Sequence, residues 1–227
     1  MTDASNPAPT EASARAKAIE AFLNLLAEKP FERIDIADIA KAAGLTLAQL
    51  RGVFSSTVGI LRAHMKDIDR QVLSADASNM GEEPARERLF DVLMRRLDAH
   101  AAHKPAIRSL MRSALCNPPL ALVMNALAAQ SMGWMMTAAG ISVAGPKGAL
   151  RAQALTLLYV RVLSVWANDD DPGLARTMAA LDRELARAER WSGILDTMLA
   201  IPERLQARRW RAKRRRDADP DDEIVAA

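Results

Sequence analysis

Histidine, cysteine and clustered carboxylates are the side chains that most readily do chemistry, and this chain of 227 residues holds few of them. Its three histidines are His64, His100 and His103. The last two share a helical spacing, but only Asp98 stands near them to complete the three or four ligands a zinc-type site needs. The single cysteine, Cys116, has no sequence-adjacent His or base to activate it as a nucleophile. Asp169 to Asp171 could suit a hard cation. An acidic turn at a helix N-terminus, favoured by the helix dipole, accounts for the same residues more simply. No glycine-rich phosphate loop occurs. The expectation is a protein with no catalytic residues, no metal and no cofactor, and hence not an enzyme.

Recognition chemistry is a better match. The stretch "IADIAKAAGLTLAQLRGVF", Ile36 to Phe54, reads as a short helix, a turn and a second helix. Asp35 can cap the first helix. Gly44 suits the left-handed residue after it. Thr46 and Gln49 form the capping box of the next. Two short helices joined in this way make a helix-turn-helix, whose second helix enters the major groove of DNA by its first residues. Its outward positions are Leu47, Ala48, Gln49, Arg51 and Gly52. Gln49 could pair with adenine or be held locally by the box. Arg51 is the best base or phosphate contact. Thr46 reads first as a cap and second as a phosphate contact. Gly52 costs about 1 kcal/mol in a helix relative to alanine, which either close approach to a backbone or tolerated drift would explain. The surrounding charge is nearly balanced: Glu11 to Leu73 holds nine basic and eight acidic residues. Since DNA affinity scales with phosphates neutralised, this surface offers only Arg51, Lys41, and Arg62 or Lys66.

The elements that must position this motif follow from periodicity. Residues 1–12 form a Pro/Ser/Ala-rich arm with a disordered composition. Ile19, Phe22 and Leu26 make one helix face, closed by Pro30. Leu50, Val53 and Phe54 face inward from the recognition helix. Ser55 to Thr57 cap a longer helix carrying Ile60, Leu61, Met65 and Ile68. The polar stretch Ser74 to Pro84 breaks or joins helices. Helices then follow at about 84–101, 104–115, 118–140, 147–168 and 173–199. Leu155, Tyr159, Val162 and Trp166 form one stripe. Asp171-Pro172 reads as an N-cap and first helical residue. Leu174, Met178, Leu181, Leu185, Ala188, Trp191, Leu195 and Met198 form a long second stripe. No strand pattern is present, so the fold class is all-α.

Phe31, the run "DIAKAAGLT" at 38–46, Leu50, Phe54, Ser56 and the pair Ile60-Leu61 together resemble the TetR family of bacterial transcriptional regulators, over about Arg15 to Leu61. The resemblance implies a homodimer, a double-stranded operator with two half-sites, and a larger C-terminal helical domain that takes a small ligand. The DNA-facing positions depart from the family. It usually has tyrosine at Arg51, a polar or basic residue at Leu47, His-Tyr or similar at Gly52-Val53, and a phosphate-holding lysine at Thr57.

A looser resemblance covers about Arg86 to Leu185. The Trp166 and Asp-rich turn, a following Thr and "LDREL" look like lipid-binding proteins of ubiquinone biosynthesis. Those share a TetR-like fold, do not act as DNA-binding regulators, and bind isoprenoid lipids. Ser113 to Pro146 carries no charged residue and no histidine over 34 positions. Asn117, Pro118, Pro119, Asn125, Gln130 and Gly133 interrupt it, so it reads as a buried helix lining a core or an apolar pocket rather than a membrane span. Met111, Met124, Met132, Trp134, Met135, Tyr159 and Trp166 are the candidate pocket residues, of flexible or flat types; plain core is the equal alternative.

The net charge of +3 has its densest source in "RRWRAKRRR", Arg208 to Arg216, followed by acidic residues from Asp217 to Glu223. This segment suits a solvated helix, a peripheral contact with an anionic membrane through Trp210 and Leu205, or nucleic acid. One cysteine and no apolar leader point to the cytoplasm. The expected organisation is an arm at 1–12, a TetR-like helix-turn-helix domain at 13–73, a helical ligand and dimerisation domain at 84–200, and a basic helix with an acidic tail at 201–227. The leading function is a ligand-responsive DNA-binding regulator, a repressor. The alternative is a lipid or isoprenoid-binding accessory protein that has lost DNA binding.

Overall fold

A computed structural model of the chain describes residues 10–74 and 83–190. Nine helices and no strand occur among them: α1 (Glu11–Glu28), α2 (Ile36–Ala43), α3 (Leu47–Val53), α4 (Thr57–Leu73), α5 (Ala85–Ala99), α6 (Lys104–Cys116), α7 (Pro118–Ala138), α8 (Gly145–Ala167) and α9 (175–190). Single 3₁₀ turns, Phe31–Arg33 and Ala101–His103, precede α2 and α6. Residues to Leu185 form one compact unit. Those from Ala186 belong to a second, of which only the helical stretch to 190 is described. Residues 1–9 of the arm expected at 1–12, the stripe positions Trp191, Leu195 and Met198, and the basic and acidic tail lie outside the described residues, while Glu11 and Ala12, expected in the arm, open α1.

Each early helix begins and ends where its side chains dictate. Thr10 accepts the Ser13 N–H at 3.3 Å to cap α1, and Pro30 follows its last turn. Ile19, Phe22 and Leu26 are buried as their spacing required. Gly44 takes the left-handed conformation (φ 64°) at the end of α2, where a Cβ would be strained. Ser56 caps α4 by accepting the Gly59 N–H at 3.1 Å.

Two apolar clusters share the unit, and they do not divide at residues 73–84. One joins α1 to α3 and the first half of α4 with Ala106 and Leu110 of α6 and Leu120 and Leu127 of α7. The other joins Ile68 and Val72 of α4 with α5, the second half of α7, α8, and Leu181 and Leu185 of α9. α4 therefore contributes to both cores. Polar contacts reinforce the first joint: Ser113 Oγ of α6 accepts the Phe31 N–H at 3.1 Å. The helix-turn-helix is thus seated directly on the larger helical body.

Two details of the C-terminal helices differ from expectation. α9 begins at residue 175 rather than at Pro172, because Leu174 adopts a left-handed backbone (φ 50°). Asp171 still caps, accepting the Gly173 and Ala175 N–H groups, each at 3.2 Å. Met178, placed by its spacing on an inward stripe, is exposed. Leu181 and Leu185 of that stripe are buried as expected, and Thr177, Ala180 and Glu184 join them on the inward face of α9. The carboxylate of buried Asp169 ties this helix to the preceding turn, accepting from Thr177 N at 3.0 Å and Oγ1 at 2.7 Å.

Candidate nucleic-acid interface

The recognition surface is assembled by α2 and α3, held from behind by α1 and α4. Leu50, only 1% exposed, anchors α3 into the core, with Val53 and Phe54 packed at its edge. Lys29 at the end of α1 pairs with Asp38 of α2 at 2.5 Å, and Arg15 of α1 pairs with Asp67 of α4 at 2.7 Å. Asp38 also accepts from the Asp35 N–H at 3.4 Å, and these bonds hold its carboxyl below the usual carboxylate range, the Lys29 hydrogen bond most of all.

The capping box of α3 is fully formed. Thr46 Oγ1 accepts the Gln49 N–H at 3.1 Å, and Gln49 Oε1 accepts the Thr46 N–H at 2.8 Å. Bidentate pairing of Gln49 with adenine needs its carbonyl oxygen as acceptor, so the box and that pairing compete for one atom. Gln49 is half-buried, whereas Leu47, Ala48, Arg51 and Gly52 are exposed along one face of α3. A Cβ built at Gly52 would meet nothing within 4 Å, so no packing inside the protein requires a glycine there. Lys41 is exposed on α2, and Thr57 is half-buried at the first position of α4. Among the described residues, Lys41, Arg51, Arg62 and Lys66 make no ion pair.

The candidate ligand residues do not form one lining. Met132, Met135, Tyr159 and Trp166 are buried together in the second core, with Met111 at its edge. Met124 belongs to the first core. Trp134 is 55% exposed and borders an open groove of about 400 Å³ with Lys66, Asp69, Arg70, Leu73 and Ser74. The charge-free α7 is therefore not wholly buried, since Leu122 and Trp134 face outward. Trp166 and Asp169, which carried the second resemblance, are both buried: Lys104 Nζ sits 5.2 Å from the Trp166 ring centroid and donates to the Asp169 carbonyl.

A buried polar cluster behind α4 was not expected. Arg96 of α5, 1% exposed, pairs with Asp69 of α4, which also accepts from Ser131 Oγ of α7 at 2.5 Å. The Arg96 guanidinium carbon lies 5.7 Å from the Tyr159 ring centroid. All three histidines meet beside it: the His64 ring is 5.9 Å from His100 and 5.8 Å from His103. His64 Nε2, Arg96 Nε, His100 Nδ1 and the Tyr159 hydroxyl are buried without a hydrogen-bond partner. Burial pushes the Tyr159 phenol up to about 12. The signal lay in α5, where Leu89, Val92, Leu93, Arg96, Leu97 and His100 continue one 3/4-spaced stripe. Polar residues on such a stripe are buried ones. Among the described residues, no group of three metal-ligating side chains is placed to hold an ion.

Solved structures show what the architecture resembles. The chain superposes on a TetR transcriptional regulator from Nitrosomonas europaea with a TM-score of 0.60, at 22% identity, covering 77% of this chain and 97% of that one. It superposes on a TetR-family regulator from Streptomyces coelicolor at 0.55, with 18% identity over 85% of this chain and 91% of that one. A TetR regulator from Rhodococcus sp. RHA1 gives 0.53, at 20% identity over 79% and 97%. No protein-family model and no curated relative matches the sequence. The fold is thus that of the TetR-type regulators, as the helix-turn-helix residues implied.

Proposed function

We propose that this protein is a DNA-binding transcriptional regulator that acts as a homodimer, with α3 of each protomer in the major groove of one operator half-site. The observation that carries the reading is the exposed face of a properly capped α3, Leu47, Ala48, Arg51 and Gly52, presented by a helix-turn-helix on a TetR-like body. Arg51, Lys41 and the Thr46 hydroxyl supply base or phosphate contacts, with Thr57 at the start of α4. The dimer forms through α8 and α9. Their outer faces expose Leu150, Leu157, Val160 and Met178, and apolar side chains gathered on neighbouring helices favour association.

Regulation follows from α4, which joins the reading unit to the second core. A small apolar ligand entering among Met111, Met132, Met135, Tyr159 and Trp166 would shift α4 and so the spacing of the two recognition helices. The Tyr159 hydroxyl, buried beside the Arg96 guanidinium, gives such a ligand one polar anchor. We read the protein as a repressor whose ligand releases it from the operator.

A salt titration of binding to the protein's own upstream DNA tests the reading. A specific complex is expected at low salt, weakening as salt rises with a slope set by few phosphate contacts. Arg51→Ala lowers its affinity without unfolding the chain. Absence of any complex at low salt, together with co-purified lipid, rules the reading out in favour of a lipid-binding role.

A further inference from the structure

The exposed face of α3 has little with which to hydrogen-bond a base. Leu47 is 58% exposed, the most exposed large apolar side chain described between Thr10 and Ser74. Ala48 is exposed beside it, and Gly52 offers no side chain. The Gln49 carbonyl oxygen is engaged by the Thr46 N–H at 2.8 Å. Gln49 keeps its two side-chain amide donors but is half-buried, so Arg51 is the one exposed hydrogen-bonding side chain on this face of α3. The edges of the four base pairs in the major groove present donors, acceptors and one apolar group, the thymine C5-methyl. An exposed leucine and alanine leading the recognition helix match that methyl and little else. Two exposed cations, Lys41 and Arg51, lie on α2 and α3 and complement the phosphates on either side of such a contact.

We infer that Leu47 is a specificity residue that reads a thymine methyl in each operator half-site, so that the site is recognised by methyl contact rather than mainly by hydrogen bonds. This rests on the DNA-binding reading above. Leu47 desolvates against the methyl, Ala48 packs at its border, and Arg51 fixes register through a phosphate or a guanine. An adenine–thymine pair in either orientation presents one methyl, on one strand. The inferred position therefore distinguishes A·T from T·A by where that methyl stands.

Deoxyuridine tests this directly, because it keeps every donor and acceptor of thymidine and lacks only the methyl. The probe is the bound upstream DNA fragment, resynthesised with deoxyuridine at one thymidine at a time and titrated with the full chain at fixed salt. One position per half-site is expected to weaken binding about four-fold, the value of one buried methyl-sized group. Substituting both half-sites multiplies the effect to roughly ten- to twenty-fold. Leu47→Ala should bind thymidine and deoxyuridine operators equally, with an unchanged salt slope and an unchanged thermal midpoint, since Leu47 is outside the core. A specific complex indifferent to deoxyuridine at every position overturns the inference and leaves the DNA-binding reading standing. So does a deoxyuridine penalty that persists in Leu47→Ala. No complex with any duplex at low salt overturns both.

Discussion

His64 of α4 and His100 at the end of α5 lie with ring centroids 5.9 Å apart, each 5% exposed, in the same pocket as the Arg96 guanidinium. Each is held neutral. Burial pushes His64 down to about 4, and neighbouring His103 and Arg96 push the same way against the carboxylate of Asp67. His100 is driven well below its ordinary value by burial first, then by Arg96, His64 and His103. The junction between α4 and the α5–α6 corner therefore tolerates no added positive charge.

The consequence is a pH dependence of stability with a definite sign. A histidine whose folded value lies below its unfolded value of about 6.5 binds more protons when unfolded. Its contribution is fully present above pH 6.5 and is lost as pH falls from about 6.5 to about 4. For His64 alone that loss amounts to about 3 kcal/mol across the window. Urea midpoints measured from pH 7.5 to 4.5 should fall, and His64→Gln should flatten the lower part of the curve. Identical curves for the two proteins would show that His64 is solvated in the folded state.

The Arg96–Asp69 pair should couple strongly. Arg96→Met leaves the Asp69 carboxylate without its buried cation, with Ser131 as its remaining hydrogen-bond donor, and removing one partner of a buried pair costs about 3–5 kcal/mol. Arg96→Met with Asp69→Leu replaces both by apolar groups and should recover most of that stability. Chemical denaturation of the four members of the cycle measures the coupling energy. A double variant no more stable than Arg96→Met would mean that the pair contributes by geometry rather than by mutual neutralisation.

The outer face of α8 carries Leu150, Leu157 and Val160 at 48%, 53% and 45% exposure, opposite the buried stripe of Leu155, Tyr159, Val162 and Trp166. If this face seats a second protomer, Leu157→Arg places a charge in the contact without touching the core. Sedimentation should then show a folded monomer where the wild type is a dimer, and operator affinity should fall by at least ten-fold as two-site binding is lost. A wild-type monomer, or a Leu157→Arg dimer, would place the contact elsewhere.

Periodicity made the helices legible, because each apolar stripe and each cap has a local cause. Gly44, Thr46, Gln49 and Ser56 act as their types require. Helix ends were less secure: the left-handed Leu174 delays α9 past Pro172, and nothing in its residue type announces that conformation. The pairing of α4 with Arg96 and the meeting of three histidines are tertiary facts between residues far apart in sequence. They were visible only as polar positions on the stripe of α5. The exposed positions of α3 were legible from the helix-turn-helix pattern. The capping box that engages the Gln49 oxygen was one of two alternatives the sequence left open, and the coordinates show it formed.

Gly52 offers the sharpest separation of stability from function. It lies inside α3, where glycine costs up to about 1 kcal/mol relative to alanine, and a Cβ there would contact nothing in the protein. Gly52→Ala should therefore stabilise the fold, raising the thermal midpoint by about 2–4 °C for a chain of this size. Close approach to a DNA backbone, the first of the two explanations the sequence allows, would make the missing side chain matter for the contacts proposed for Leu47 and Arg51. The same variant is then expected to lose several-fold in specific affinity while becoming more heat-resistant. Thermal denaturation and operator titration on one preparation measure both quantities. A more stable protein with unchanged affinity would show that Gly52 serves no contact with DNA.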